Sequence, residues 1–249
     1  MLFVFARLGF VLALWEVVTV AGPVMGVPAF AIPGPYQVYL SLGNITPVDM
    51  LVTLLRVLIS LAVSFLVGTG LALAAYLSPR IERLSRPCVR IVTAVPVISW
   101  ILVAIFWFRG GEFRVGFVLV LVCAPVFYTT IFDGLRTVQR EFVDLLTTYN
   151  PSKLDRIRFL LLPATLPLVF TAWRLNLSLA IRVVTVAELV GTVTGVGHRL
   201  AIAQELLSIS DVLAWTLALV IALFSLDYLL LRLEERVLNW REPIPVSGR

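Results

Sequence analysis

The sequence LVTLLRVLISLAVSFLVGTGLALAAYL, residues Leu51–Leu77, decides the fold class of this chain. Arg56 is the single charged residue in this run. About 20 apolar residues in a helix cross the hydrocarbon core of a bilayer, so the run is long enough to span a membrane. Lipid offers no partner for peptide N–H and C=O groups, and a span must therefore satisfy them within a helix. The run predicts a transmembrane helix.

Five further apolar runs and the composition extend this prediction to the whole chain. Of 249 residues, 60% are hydrophobic and 14% are charged, whereas soluble domains have about 45–50% and about 25%. We therefore expect an all-α membrane protein that forms a single domain over residues 1–249, with about six transmembrane helices. The predicted segments are Val4–Val20, Leu51–Leu77, Ile91–Phe108, Val115–Phe132, Leu166–Val190 and Val212–Leu233.

Basic residues are divided unevenly between the stretches that separate these segments. The stretch Gly134–Arg158 carries five and the loop Ser78–Val89 carries three, whereas the linker Gly22–Met50 carries none. Loops on the cytoplasmic side collect Lys and Arg. The pattern predicts that both termini and Gly134–Arg158 are cytoplasmic, and that the linker lies outside.

The cytoplasmic stretch after the fourth segment reads QREFVDLLTTYNPSKLDRIRFLLLPATLP, residues Gln139–Pro167. It predicts two short helices, the first of which ends near Tyr149. Asn150 tolerates a positive φ between them, and Pro151 suits the first position of the second helix. Apolar residues then recur at helical spacing. An amphipathic helix pair outside the membrane is suited to a groove on a partner protein.

This stretch resembles the cytoplasmic signature of ABC importer permeases, which is Glu-Ala-Ala, three residues, Gly, nine residues and Ile-x-Leu-Pro. The spacing agrees throughout, with Asp144, Leu145 and Leu146 at Glu-Ala-Ala, Asn150 at Gly, Leu160 at Ile, and Leu162-Pro163 at Leu-Pro. Asp keeps the negative charge of Glu, and Asn keeps access to positive φ.

The resemblance covers nearly the whole chain and is nearest to the nitrate/sulfonate/taurine group of these permeases. Similar stretches stand in the same order along the chain. They are Pro33-Gly34-Pro35; Thr53–Val57; Pro96 with Trp100; the run from Pro163 to Gly197, which contains Thr171, Arg174, Glu188 and Gly195-Val196-Gly197; and Leu233–Trp240. The fold that this implies is a type I ABC importer permease with a cytoplasmic coupling helix pair, within residues 139–162.

The resemblance implies a transport subunit that is not itself an enzyme. It would work with two cytoplasmic ATP-binding subunits, a second permease copy (identical or similar) and an extracytoplasmic solute-binding protein. It would be surrounded by lipid in a bacterial or archaeal cytoplasmic (inner) membrane, and nucleic acid is not an expected partner. The sequence contains no Gly-x-x-x-x-Gly-Lys-[Ser/Thr] loop. ATP and Mg would therefore be bound by the partner, and no cofactor by this chain. The residues expected to contact the ATPase are Asp144, Leu145, Leu146, Thr147, Tyr149, Asn150, Pro151 and Lys153.

Arg182, Glu188 and Trp100 are the candidates for the substrate path. A charge at bilayer depth costs at least ~2.5–3.5 kcal/mol on insertion scales, so it usually pairs or faces the protein interior. Arg182 matches no arginine expected in the family and could attract an anion. The alternative for Arg182 is a pair with Glu188, with Asp227 or with a second copy of the chain. The alternative for Glu188 is a capping or packing role. The lone His198 does not indicate a metal site.

Other charges in the predicted spans are expected to be structural. Arg56 should pair or reach an interface, Arg174 should have a structural role, and Asp227 should be satisfied by a neighbouring helix.

The substrate that the resemblance implies is a small oxyanion or sulfonate. A neutral or heterocyclic nutrient such as a vitamin precursor is the alternative. A secondary transporter would show internal repeats and broken helices at corresponding positions, and a membrane enzyme would need clustered catalytic groups. The sequence shows neither pattern, and both classes are less favoured.

Overall fold

The fold was analysed on a computed structural model that describes residues 2–24, 26, 28, 31–137 and 162–239. These residues form helices and connecting turns, without a strand, and the predicted all-α fold is confirmed. The helices are α1 (Leu2–Val24), α2 (Pro35–Ser41), α3 (Pro47–Leu77), α4 (Pro79–Ala94), α5 (Val97–Trp107), α6 (Gly111–Thr137), α7 (Leu162–Gly191), α8 (Val196–Glu205) and α9 (Ile209–Val237), with a 3-10 turn at Leu42–Asn44.

Four helices of the described chain, α3, α6, α7 and α9, are long and apolar enough to cross a membrane. Their lengths of 27 to 31 residues correspond to about 40–46 Å at a rise of 1.5 Å per residue. This exceeds the hydrocarbon core of about 30 Å. They confirm the second, fourth, fifth and sixth predicted segments. The first predicted segment, Val4–Val20, lies within the helix α1.

The predicted third segment, Ile91–Phe108, is not one continuous helix. The chain bends by 94° between α4 and α5, and the pair counts as a fifth span only if both halves are taken together. At the bend, Val95 has φ −77° and ψ 128°, and Pro96 has φ −57° and ψ 138°. Proline lacks an N–H and disfavours the helical conformation of the residue before it. The arginine-bearing stretch Ser78–Val89, predicted to be a loop, is also mostly helical in α4.

Small residues bring α3, α6 and α7 into close contact. A Cβ added at Gly68 of α3 would lie 2.5 Å from the carbonyl oxygen of Ala124 and 2.7 Å from Phe127 Cβ on α6. Gly134 of α6 meets Leu168 of α7 in the same way. Such residues allow helix backbones in membranes to approach closely, where van der Waals packing drives association.

The two ends of the helix bundle are distinguished by which helix termini lie there. The starts of α3, α6 and α9 lie with the end of α7 at one end, which we call the turn end because the turn between α7 and α8 is there. The end of α6 and the start of α7 lie at the opposite end, which we call the loop end.

Candidate functional site

Arg56 of α3 is buried at the turn end, where its guanidinium donates hydrogen bonds in three directions. Nη1 donates to Glu188 Oε1 of α7 at 2.6 Å and to the carbonyl oxygen of Thr194 at 2.9 Å. Nη2 donates to the Thr194 hydroxyl at 2.9 Å. Nε donates to Glu112 Oε2 of α6 at 2.8 Å, and Nη2 contacts the same carboxylate. One side chain therefore joins α3 to α6, to α7 and to the turn that follows α7.

The carboxylate of Glu188 is fully buried and has donors on several sides. Besides Arg56, the Thr53 hydroxyl lies 2.9 Å from Oε1 and 2.8 Å from Oε2. The Gly197 N–H donates to Oε2 at 2.9 Å. Burial of a carboxylate is strongly unfavourable unless it is paired and hydrogen-bonded. These neighbours meet both requirements.

Gly195 and Gly197 allow the turn after α7 to close over this carboxylate. Gly195 has φ 101° and ψ 171°, a backbone conformation that is essentially restricted to glycine. A Cβ at Gly195 would lie 2.5 Å from Glu188 Cδ, and one at Gly197 would lie 2.5 Å from Glu188 Cβ. A larger residue at either position would push the carboxylate away from its donors.

Asp49 of α3 holds the same turn from a second side. Its Oδ1 accepts a hydrogen bond from the Gly195 N–H at 3.0 Å, and its Oδ2 accepts one from Arg199 Nε at 2.8 Å. The next N–H of the turn, that of Val196, donates to Thr53 Oγ1 at 2.9 Å. The backbone of the turn is thus fixed to α3 by two consecutive N–H groups.

These contacts form one structure, which we call the polar hub: Asp49, Thr53, Arg56, Glu112, Glu188, Arg199 and the turn Thr194–Gly197. The three α3 members are four and three residues apart and so share one helix face. All three carboxylates of the hub are engaged by donors, which suits a connecting role. In the described residues, no group of three or more His, Cys, Asp or Glu could hold a metal ion.

The hub lies entirely within the part of the chain that matches a known family. Residues 41–239 match the family described as "Binding-protein-dependent transport system inner membrane component". This chain belongs to that family. It is the membrane-spanning permease subunit of an ABC importer, as the resemblance in its sequence predicted.

Individual proteins are similar to this permease over most of its length. A probable ABC transporter permease of Haemophilus influenzae is 30% identical over 90% of this chain and 93% of its own. The taurine transport system permease TauC of Escherichia coli is 26% identical over 76% of this chain and 68% of its own. A solved structure of the MetNI methionine ABC transporter in inward-facing conformations has a TM-score of 0.60 and 18% identity, covering 75% of this chain and 91% of that one. The last likeness shows the fold.

The permease exposes Arg182 on α7, six residues before Glu188. Its Nη2 donates to Ser178 Oγ at 2.8 Å. The alternative of a pair with Glu188 or Asp227 is wrong, because Glu188 belongs to the hub and Asp227 accepts a hydrogen bond from Arg174 Nε at 2.8 Å. The Arg174–Asp227 pair confirms that Asp227 is satisfied by a neighbouring helix. The assignment of Arg182 to the substrate path remains a prediction.

Trp100 is half-buried on α5 beside the bend that follows α4. Its Nε1 donates to the carbonyl oxygen of Val92 at 3.4 Å, which connects the two sides of the bend. Glu188 is enclosed by the hub. The assignment of Trp100 and Glu188 to the substrate path also remains a prediction.

The predicted ATPase-coupling residues fall outside the described part of the chain. They are Asp144, Leu145, Leu146, Thr147, Tyr149, Asn150, Pro151 and Lys153. Of the segment 139–162, the structure describes only the first residue of α7.

Sequence reasoning missed the pairing of Arg56 with Glu188, which are 132 residues apart. Considered alone, Arg56 is a charge that pairs or reaches an interface, and Glu188 is a path, capping or packing residue. A signal was present, because two family-like stretches, Thr53–Val57 and Glu188–Gly197, each place one charge of opposite sign in a predicted span. For two opposite charges that both lie in spans, forming an ion pair is energetically more favourable than exposing either charge to lipid.

Proposed function

We propose that this permease translocates a small anion along a path that includes Arg182, driven by ATP hydrolysis on separate subunits. The observation that carries the proposal is the exposed position of Arg182 on a spanning helix. Within the described chain, Arg182 forms no ion pair, and Ser178 is its hydrogen-bond partner. An exposed guanidinium on a spanning helix needs polar partners, which a ligand, a second subunit or water can provide.

The depth of Arg182 argues against contact with lipid. It lies nine residues from the end of α7 at Gly191, or about 13 Å along the helix axis. Exposure of arginine to lipid at such a depth is costly, and charged residues in spans usually face a bundle interior or a water-filled cavity. An anionic solute in that cavity would receive a charge-assisted hydrogen bond.

The face of α7 around Arg182 supports a second permease copy as its neighbour. Exposed or half-buried residues recur at intervals of three or four, namely Thr171, Leu175, Ser178, Arg182, Val186 and Leu189. The intervals average about 3.6 residues, the period of an α-helix, so these residues share one face of α7. Two copies facing each other across this face would place one Arg182 on each side of a shared path.

The energy for transport would come from two ATP-binding subunits, which would hold ATP and Mg, while this chain would bind no cofactor. Support comes from the family and from the spacing of Asp144, Asn150 and the closing Leu162-Pro163, which follows the docking signature. An extracytoplasmic binding protein would deliver the solute. We expect purification from the native membrane in mild detergent to yield an ATP-binding protein in similar amount. Purification of the chain alone under several detergents would contradict this.

The distribution of basic residues supports an orientation with the loop end and both termini in the cytoplasm. The stretch Gly134–Arg158, which begins in the last turn of α6 at the loop end, is rich in basic residues, whereas Gly22–Met50, which precedes most of α3 and the turn end, has none. The binding protein would then dock at the turn end.

Measuring solute uptake by the Arg182→Gln variant tests whether Arg182 lies on the anion path. The permease, its ATP-binding subunits and its binding protein would be reconstituted in liposomes and supplied with taurine, nitrate, an alkanesulfonate or a neutral pyrimidine. Loss of a charge-assisted hydrogen bond of about 1.5–3 kcal/mol should slow anion uptake about 10- to 150-fold. Basal ATP hydrolysis should persist, and Arg182→Lys should keep part of the uptake.

Arg109→Gln is the matched control, because Arg109 is an exposed arginine in the loop before α6. It should transport at the normal rate. Normal anion uptake by Arg182→Gln would refute the role of Arg182. Uptake of the pyrimidine but of no anion by the unchanged permease would favour the neutral substrate.

A further inference from the structure

We propose that the permease binds one anionic phospholipid at the loop end, with an acyl chain in a groove between α3, α4 and α6 and the phosphate beside the arginines of α4. This goes beyond translocation itself, because it assigns a lipid ligand to a groove whose lining includes neither Arg182 nor any residue of the polar hub.

The groove has a volume of about 270 Å³, and its walls are almost entirely apolar. Its lining includes Gly68 and Leu71 of α3, Cys88 and Val92 of α4, and Phe117 and Tyr128 of α6. From Phe117 to Tyr128 it extends about 16 Å along α6 at 1.5 Å per residue. A buried water needs two to four polar partners, which these walls do not offer. A hydrocarbon chain matches them.

The contacts of α4 with α6 place one end of this groove near the loop end. Glu82 near the start of α4 forms an ion pair with Arg136 near the end of α6 at 3.1 Å. One turn later, the Ser85 hydroxyl is 2.8 Å from the Tyr128 hydroxyl. Val92 then lines the groove with Phe117. Residues later in α4 thus meet residues earlier in α6, so α4 runs from the loop end into the bilayer.

Two stripes on the exposed side of α4 suit the two parts of a phospholipid. Leu84, Cys88 and Ile91 are exposed at intervals of four and three residues and form an apolar stripe. Arg80, Arg83 and Arg90 are exposed beside it at intervals of three and seven.

Cys88 belongs to both the apolar stripe and the groove lining. The apolar stripe therefore continues into the groove. A chain that enters the groove along this stripe would bring its headgroup close to the arginines.

The charge of α4 is not balanced by the described part of the protein. Glu82 is the acidic side chain of α4, and it already contacts both Arg86, at 3.3 Å, and Arg136. Among the described residues, no carboxylate forms an ion pair with Arg80, Arg83 or Arg90. Clusters of basic residues next to a span attract anionic lipids.

The adjacent apolar stripe favours the bilayer over a soluble partner for this face. An ATP-binding subunit that docked on this face through its arginines would also have to cover the apolar side chains of Leu84 and Ile91. Those two side chains are 70% and 65% exposed, which a lipid environment satisfies directly. Docking of the ATPase on these arginines is therefore one of the outcomes that the experiment distinguishes.

Native mass spectrometry of the delipidated importer complex tests the proposal with equal amounts of phosphatidylglycerol and phosphatidylcholine. The first bound phosphatidylglycerol should be retained at least about fivefold better, and Arg83→Gln with Arg90→Gln should remove this preference. The matched control is Arg232→Gln with Arg236→Gln, which removes two exposed arginines near the end of α9. The control should keep the preference. Equal retention of both lipids by the unchanged complex, or equal loss in both double variants, would overturn the proposal.

Fluorescence quenching at Cys88 tests the position of the chain. The chain has two cysteines; Cys88 is exposed and Cys123 is buried, so a small thiol-reactive fluorophore reports from the groove. Phosphatidylglycerol with a nitroxide on its acyl chain should quench this label more strongly than the phosphatidylcholine analogue. Quenching by the phosphatidylglycerol analogue that is no stronger than quenching by the phosphatidylcholine analogue would overturn the proposal. So would loss of the ATP-binding subunit from the Arg83→Gln and Arg90→Gln complex with lipid retention unchanged.

Discussion

Replacing Arg56 with methionine should destabilise the permease more than any other single change in the polar hub. Methionine keeps much of the length of arginine but removes the charge and all donors. Glu188 would then be left fully buried, with the Thr53 hydroxyl and the Gly197 N–H as its remaining partners. Removal of one partner of a buried ion pair costs about 3–5 kcal/mol, because the other charge stays buried without compensation.

Two matched variants separate this effect from general damage to the bundle. In the double variant Arg56→Met with Glu188→Gln, no uncompensated charge is buried, and most of the lost stability should return. Glu112→Gln removes the other carboxylate that Arg56 contacts. The Glu112 side chain is 68% exposed, and an exposed pair contributes about 0–1 kcal/mol. That variant should resemble the unchanged protein.

Thermal denaturation in detergent provides the assay, with tryptophan fluorescence and size-exclusion chromatography of heated samples as the two readouts. For a chain of this length, 1 kcal/mol corresponds to about 2–4 °C in Tm, so Arg56→Met should lower Tm by about 6–20 °C. The order of Tm should be Arg56→Met lowest, the double variant intermediate, and Glu112→Gln near the unchanged protein. A double variant no more stable than Arg56→Met alone would refute the argument that an uncompensated Glu188 charge is the cause.

Three further changes test other parts of the structure. Gly68→Ala should lower the free energy of unfolding by about 1–3 kcal/mol through overpacking against α6. At Gly70 nothing lies within 4 Å of a new Cβ, so Gly70→Ala should leave the free energy of unfolding unchanged or raise it by up to about 1 kcal/mol. Comparison of the two Tm values checks this. Gly195→Ala should cost about 1–3 kcal/mol, because it imposes a backbone conformation essentially restricted to glycine. Asp144→Lys, and separately Tyr149→Pro, should uncouple ATP hydrolysis from transport without unfolding the bundle, and normal coupling in both would remove the support for docking by this segment.

The spans could be predicted from sequence because each depends on local composition. The run Leu51–Leu77 lies within α3, and Val115–Phe132 lies within α6. In both, an apolar stretch of at least 18 residues is long enough to span the bilayer core, where lipid allows only a helix. The prediction needed no knowledge of what surrounds the helix.

The bend between α4 and α5 could not be placed in this way, because Ile91–Phe108 is apolar on both sides of Pro96. Proline in a spanning helix produces anything from a mild kink to a complete break, depending on how neighbouring helices satisfy the freed groups. Here α4 is held on α6 by the Ser85–Tyr128 contact. That contact joins residues 43 positions apart, and the sequence gives no local sign of it.

The polar hub explains why several features of the family-like pattern occur together. Thr53 and Arg56 are needed as donors to Glu188, and Glu188 in turn requires glycine at 195 and 197 because the turn passes over its carboxylate. Apart from Gly195, whose φ of 101° itself favours glycine, none of these residues has a reason for its identity in its own segment. Their identities follow from long-range contacts, which is why the sequence revealed the positions but not the pairing.

The arrangement of contacts also indicates which parts of the bundle move together. At the turn end, the hub joins α3, α6 and α7, and the Gly68 and Gly134 contacts keep the same three helices closely packed toward the loop end. By contrast, α9 is linked to α7 by the partly exposed Arg174–Asp227 pair. Packed interfaces transmit displacement because they are close to incompressible. We therefore expect a push applied at the loop end, where residues 138–161 connect α6 to α7, to move α3, α6 and α7 as one body rather than to separate them.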